Sequence, residues 1–173
     1  MNVVFFDVET QRSFDEVGGR RNIRRMGLAA AVTYSTATGA YHHYTEDRCA
    51  ELLAELRAAD LVVGFNVLSF DYEVLRAYTD DPLDDLPTVD MLDHVYRRLG
   101  FRVGLNALAE CTLGCCKSAD GLQALAWYRE GKMQEILDYC QQDVEVTRQL
   151  YEYGRQYKHL KYRDKMRRLQ MVP

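Results

Sequence analysis

The chain has 173 residues, 47% of them hydrophobic and 28% charged, the proportions of one folded domain and not of a disordered segment. Its apolar runs, such as 28–32 and 61–65, fall far below the ~18 residues of a membrane span, and an aspartate already stands at position 7 where a signal peptide would be apolar. A formal charge of −4 and five cysteines, an odd number that fits free thiols better than a disulfide framework, complete the expectation of a cytoplasmic protein without membrane attachment.

Residues 2–9 form a nearly continuous apolar run with β-branched and aromatic members, which reads as a central strand covered on both faces. The runs 26–35 and 41–45 flank Thr36-Ala37-Thr38-Gly39, a turn sequence, and predict a hairpin. Residues 47–59 predict an amphipathic helix with Leu52, Leu53 and Leu56 on one side. A short strand at 61–65 and a helix at 71–78 follow. The run 86–89 reads as a final strand, and Pro87 argues for an edge position. After Asp90, which is placed to cap a helix, the pattern is helical to the end: 105–109, 118–128, and a long helix from about 131. The predicted class is α/β, a five-stranded mixed sheet with helices on both faces and a helical second half.

Charge divides the chain near residue 155. From Arg155 onward seven basic residues face one acidic, a net +6, whereas residues 1–154 carry −10. The reading is a domain at 1–154 and a basic tail at 155–173. Such a tail is either a solvated terminal helix or a place where a polyanion is held.

Three acidic elements stand out. Asp7 and Glu9 lie two apart on the first strand, so both leave the same face at its carboxyl end, where open α/β sheets place ligands. At ~5 Å and an effective dielectric of ~20, two such charges repel by roughly 3 kcal/mol unless a cation intervenes. Asp71, in Asn66-Val67-Leu68-Ser69-Phe70-Asp71, opens a helix and by itself needs no role beyond the helix dipole. Tyr139 and Asp143 are four apart and share a stripe of the long helix, bordering its apolar side at Ile136, Cys140 and Val144.

In this order, Asp7-x-Glu9, Asn66-x-x-x-Phe70-Asp71 and Tyr139-x-x-x-Asp143 resemble the three motifs of the DEDD, or DnaQ-like, 3′–5′ exonucleases, which have the ribonuclease-H-like fold. The tyrosine four before the last aspartate matches the DEDDy branch; the DEDDh branch would need a histidine where this chain has Asp138. The resemblance spans residues 3 to about 153. The segments 105–109, 117–121 and 143–151 also resemble the YprB-type exonuclease-like subgroup. It implies that Asp7, Glu9, Asp71 and Asp143 hold two Mg²⁺ or Mn²⁺ ions, that Tyr139 orients the attacking water, that Thr10 lines the 3′-terminal nucleotide, and that Asn66 and Phe70 shape the cleft. The implied partner is nucleic acid, mostly single-stranded 3′ ends, with association with a helicase or polymerase.

The chemistry suits the residue types. Hard carboxylate oxygens select Mg²⁺ or Mn²⁺. Two ions of total charge +4 balance four carboxylates and admit a phosphate. A phenol of ordinary pKa ~10 is too fully protonated at neutral pH to serve as general base. Two rival readings stay open at this stage: a ribonuclease-H-like module that binds nucleic acid without cutting, and a two-metal phosphodiesterase for short oligonucleotides.

Other features weigh less. Cys111, Cys115 and Cys116 lack a second Cys or His pair at zinc spacing. His42 and His43, adjacent on a strand, point to opposite faces. The pairs Arg20-Arg21 and Arg24-Arg25 either meet phosphates or keep the surface soluble. Asp90 and Asp93 are not required by the motifs.

Overall fold

The computed structural model describes residues 1–114 and 121–173. Its elements in chain order are β1 (Val3–Thr10), α1 (Phe14–Val17), a 3₁₀ turn (Arg20–Arg25), β2 (Leu28–Ser35), β3 (Ala40–Thr45), α2 (Cys49–Ala58), β4 (Leu61–Gly64), α3 (Asp71–Leu75) and β5 (Thr88–Asp90). Then follow α4 (Met91–Leu99), α5 (Leu105–Leu113), α6 (Gly121–Arg129), α7 (Met133–Tyr157), β6 (Leu160–Arg163) and β7 (Leu169–Val172). Cys115, Cys116 and the expected helix start at 118 lie outside the described residues, as does most of the 117–121 segment. No described helix is long and apolar enough to cross a membrane.

Five strands form one mixed sheet in the order β3-β2-β1-β4-β5. β1 is antiparallel to β2 and parallel to β4, and β5 is a parallel edge strand, as Pro87 foretold. Being central, β1 is covered on both sides. Val4, Phe6 and Val8 pack with α2 and α3 residues such as Leu52, Leu56 and Leu75. Val3 and Phe5 pack with Val95, Leu108, Cys140 and Val144 from α4, α5 and α7. A strand buried on both faces has no polar stripe, which is why residues 3–6 read as a continuous apolar run.

The β2–β3 hairpin turns through Thr36–Gly39, with Gly39 at φ 65°, a left-handed conformation that glycine adopts without a side-chain clash. His42 and His43 behave as alternation requires. His42 Nδ1 meets Glu55 of α2 at 2.8 Å, and His43 Nε2 meets Gln141 of α7 at 2.6 Å on the other face. They share no ligand position.

The basic terminus departs from the helical expectation. Lys158 adopts φ 63° and ends α7, and the chain returns as an antiparallel pair, β6 with β7. The Asp164 carboxylate builds the turn by accepting the Met166 and Arg168 N–H groups at 2.8 and 2.9 Å. Leu160, Tyr162 and Val172 join the same core as Phe5. The alternation Leu-Lys-Tyr-Arg at 160–163 was the available signal, but four residues seldom outweigh a helical run before them.

Candidate active site

β1 continues beyond its parallel partner. Pairing with β4 ends at Phe5–Val63, whereas β1 runs on to Thr10. The divergence is fixed at Gly64: a Cβ there would lie 2.1 Å from Val67 Cγ1 and 3.0 Å from the Phe6 carbonyl oxygen. Only glycine lets the chain leave the sheet so close to β1. The residues of β1 that face α7 are therefore apolar where the sheet is complete, at Val3 and Phe5, and acidic past its edge, at Asp7 and Glu9. Both acids are half-buried.

The loop after Gly64 delivers Asp71. Asn66 takes a left-handed φ of 71°, tolerable for asparagine. The Asp90 carboxylate clamps this loop by accepting the N–H groups of Asn66 at 2.8 Å and Leu68 at 3.0 Å. The same carboxylate caps α4 through Leu92 and Asp93 N–H at 3.0 and 3.2 Å. Asp71, only 2% exposed, then starts α3, and its Oδ1 accepts the Val8 N–H at 3.0 Å. That bond anchors it on the backbone between Asp7 and Glu9.

The third contribution comes from α7, which lies across β1 and β2. Buried Cys140 donates its S–H to the Asp7 carbonyl at 3.2 Å, which sets how close the helix approaches the strand. One turn on, Asp143 presents an oxygen such that Asp7, Glu9 and Asp143 each have one within 4.8 Å of the others. Tyr139 is buried, hydrogen bonded to Asp143 and packed edge-on against Trp127 at 6.3 Å between centroids. Tyr139 and Asp143 thus share a stripe, as their spacing requires.

Electrostatics follow from the crowding. Burial, then the charges of Asp71, Glu9 and Asp143, raise the Asp7 carboxyl well above its ordinary range. Glu9 is raised by burial and by Asp143 and Asp71. Burial pushes Asp71 up to about 8 despite the N–H bonds that oppose it. Burial and the neighbouring carboxylates raise the Tyr139 phenol as well, so it stays a hydrogen-bond donor at neutral pH. Cys140, buried and beside Asp7, is likewise held as a thiol and not a thiolate. The donors facing one another are therefore hard oxygens, and three of them converge closely enough to share one ion. This set fits Mg²⁺ or Mn²⁺ and does not fit a thiophilic metal.

Above the acids opens a cleft of about 390 Å³. Thr10 and Phe70 line it, together with Phe14, Phe65, Leu122 and Leu125. Phe14 meets Phe70 edge to face at 5.8 Å, and the Arg20 guanidinium sits 5.0 Å above the Phe14 ring. Asn66 does not line the cleft. Its side-chain oxygen accepts Ser69 Oγ–H and an Arg102 N–H, both at 2.7 Å, so its part is in the loop's shape. Of the arginine pairs, Arg24 is engaged with Glu73 at 3.3 Å. Asp93 pairs with Arg97 at 2.7 Å and Asp90 serves the loop and α4, so neither faces the cleft.

Phe14 and the leucines of α6 were not singled out from sequence. Phe14 carried a legible signal: Ser13-x-x-Glu16 is a capping box, with Ser13 N–H donating to Glu16 at 2.7 Å and Glu16 N–H to Ser13 Oγ at 3.3 Å. That box fixes the first residue of α1 over the cleft. Leu122 and Leu125 carried none, because only the packing of α6 on α7 and β1 brings them there.

Comparison with known proteins agrees with this architecture. The fold is similar to a family B DNA polymerase from the hyperthermophilic archaeon Pyrobaculum calidifontis, with a TM-score of 0.66 at 17% identity over 89% of this chain. The chain spans only 24% of that polymerase. Among curated protein sequences no relative matches. A family model described as RNase_H superfamily matches residues 4–154, which include all four carboxylates, Tyr139 and all of the five-stranded sheet but Val3. The chain therefore belongs to the RNase_H superfamily.

Proposed function

We propose that the protein is a metal-dependent 3′–5′ exonuclease of the DEDDy type, which hydrolyses phosphodiester bonds of DNA or RNA and releases nucleoside 5′-monophosphates. The observation that carries this reading is the convergence of Asp7, Glu9 and Asp143 oxygens within 4.8 Å, with Asp71 tied to Val8 N–H and Tyr139 hydrogen bonded to Asp143. The family's nuclease members and a DNA polymerase as structural neighbour both favour a nucleic-acid substrate.

Asp7, Glu9, Asp71 and Asp143 would hold two divalent cations. When bound, such ions supply charge relief for a phosphate and an activated water at neutral pH. The protein's own part is positional. Asp71 is rigid because its carboxylate is bonded to the strand that bears Asp7 and Glu9, so the donors cannot drift apart. Tyr139, protonated and packed on Trp127, donates its O–H to Asp143 and leaves its phenol oxygen to orient a water without taking its proton. Phe14 and Phe70 form an apolar wall against which a terminal base stacks, with Arg20 beside it for a phosphate.

The test is incubation of 5′-labelled single- and double-stranded DNA and RNA with Mg²⁺ or Mn²⁺. A ladder shortening stepwise from the 3′ end is expected. Intact substrate in every lane overturns the reading in favour of a binding module, and cleavage confined to dinucleotides favours the phosphodiesterase.

A further inference from the structure

At the far end of α7 lies a second cavity, about 280 Å³, enclosed by α4, the last turn of α7 and the β6–β7 pair. The α7 residues that line it run from Leu150 to Lys158, seven to fifteen positions beyond Asp143, so at 1.5 Å per residue the cavity lies roughly 10 to 22 Å along the helix from the carboxylates. Its walls are apolar, from Val95, Leu150, Leu160 and Val172. Its rim is cationic, from Arg98, Arg155 and Lys158, and no acidic side chain is among the described residues that line it. None of the three cations forms an ion pair with a described residue. Arg98 lies 3.3 Å from the His94 carbonyl and ring, and Arg155 rests 5.9 Å over the Tyr151 ring.

His159 belongs to the wall: its Nδ1 donates to the Tyr157 carbonyl at 2.9 Å, and its ring packs edge-on against Tyr153 at 5.9 Å between centroids. Gly154 also borders the cavity in the last turn of α7, where glycine costs about 1 kcal/mol relative to alanine. A Cβ there would meet only Leu160, at an ordinary 3.6 Å. Packing does not require the glycine; it leaves the cavity open.

We propose that this cavity binds a nucleotide unit: a phosphate against Arg98, Arg155 and Lys158, and a flat apolar base between the walls. The unit is either a free mononucleotide or one residue of a strand. The site is independent of whether the carboxylate cleft cuts.

Titration calorimetry of the full chain in EDTA, which silences the cleft, tests it with adenosine 5′-monophosphate, adenosine, inorganic phosphate and a single-stranded 15-mer. The monophosphate is expected to bind one to one and at least about tenfold tighter than adenosine, since charge-assisted bonds to the phosphate are lost in the nucleoside. Gly154→Leu, which fills the cavity while favouring the helix, is expected to abolish binding at an unchanged or higher melting temperature. Arg155→Ala with Lys158→Ala should weaken it at least about tenfold. If the 15-mer weakens in parallel, the source is a strand; if only the monophosphate does, it is a free nucleotide. Binding that ignores Gly154→Leu, or no binding by either probe, overturns the proposal.

Discussion

Two stretches of α7 gather charge of opposite sign in the same manner. Midway along it Asp143 meets Asp7 and Glu9 across β1, and at its end Arg155 and Lys158 stand with Arg98 around an apolar cavity. The stretch between them is different: Arg148 is clasped by Glu145 at 2.8 Å and Glu152 at 3.0 Å. Where charges are paired, the helix serves the fold. Where like charges are gathered, each raises the cost of its neighbours, and a ligand of opposite sign relieves them. A buried acid is not enough to mark such a place. Asp90 is 6% exposed, yet four backbone N–H groups satisfy it, and it holds a loop.

The comparison is broken most severely at the acidic cluster. Asp143→Asn replaces an anionic oxygen donor by an amide and is expected to abolish measurable cleavage in the 3′-end ladder assay. Full activity in that variant would remove the nuclease reading. Tyr139→Phe keeps the ring against Trp127 and deletes only the hydroxyl. Its cleavage rate is expected to fall ~10²–10⁴-fold, with stabilisation by Mn²⁺ retained in a parallel melting experiment. Unchanged cleavage would take Tyr139 out of the site.

A third measurement treats the gathered carboxylates as a stability term. Mn²⁺ at ~100-fold excess over its Kd should stabilise the fold by ~2.7 kcal/mol, visible as a rise in melting temperature that Ca²⁺ need not match. The pH dependence has a definite sign. Asp7, Glu9 and Asp71 have folded pKa values above their unfolded ones, so the native state holds the extra protons. In EDTA, stability is greatest below the unfolded values, near 3.8 for Asp71, and declines as pH rises through about 8. Melting at pH 5 and pH 8 with and without Mn²⁺ checks this: the gap should be wide in EDTA and narrow with metal. A gap of equal size in both would mean that no cation enters the cluster.

The smallest effect belongs to the paired charges between the two clusters. Arg148→Ala removes two partly exposed ion pairs and a guanidinium stacked 4.7 Å over Tyr34. It should cost about 1 kcal/mol in a urea melt and leave cleavage unchanged. A loss of activity there would show that paired and gathered charges on α7 are not separable.

The sequence by itself determined the strand that carries Asp7 and Glu9 on one face, the edge position announced by Pro87, the opposed histidines, and the stripe shared by Tyr139 and Asp143. Each of these depends on a period of two or on a four-residue spacing, which local geometry imposes wherever the segment ends up. Tertiary structure decided the rest. Asp71 taken by itself read as an ordinary first-turn acid, and only the resemblance put it in the site; the Gly64 turn and the Asp90 clamp are what bring it to Val8 N–H. The basic terminus looked helical until Lys158 turned the chain and the core accepted Leu160, Tyr162 and Val172. Asn66 proved to shape a loop and not to face the cleft. Such facts involve residues far apart in the chain, where the partner of a polar group or a short apolar strand is chosen by the space left after everything else has packed.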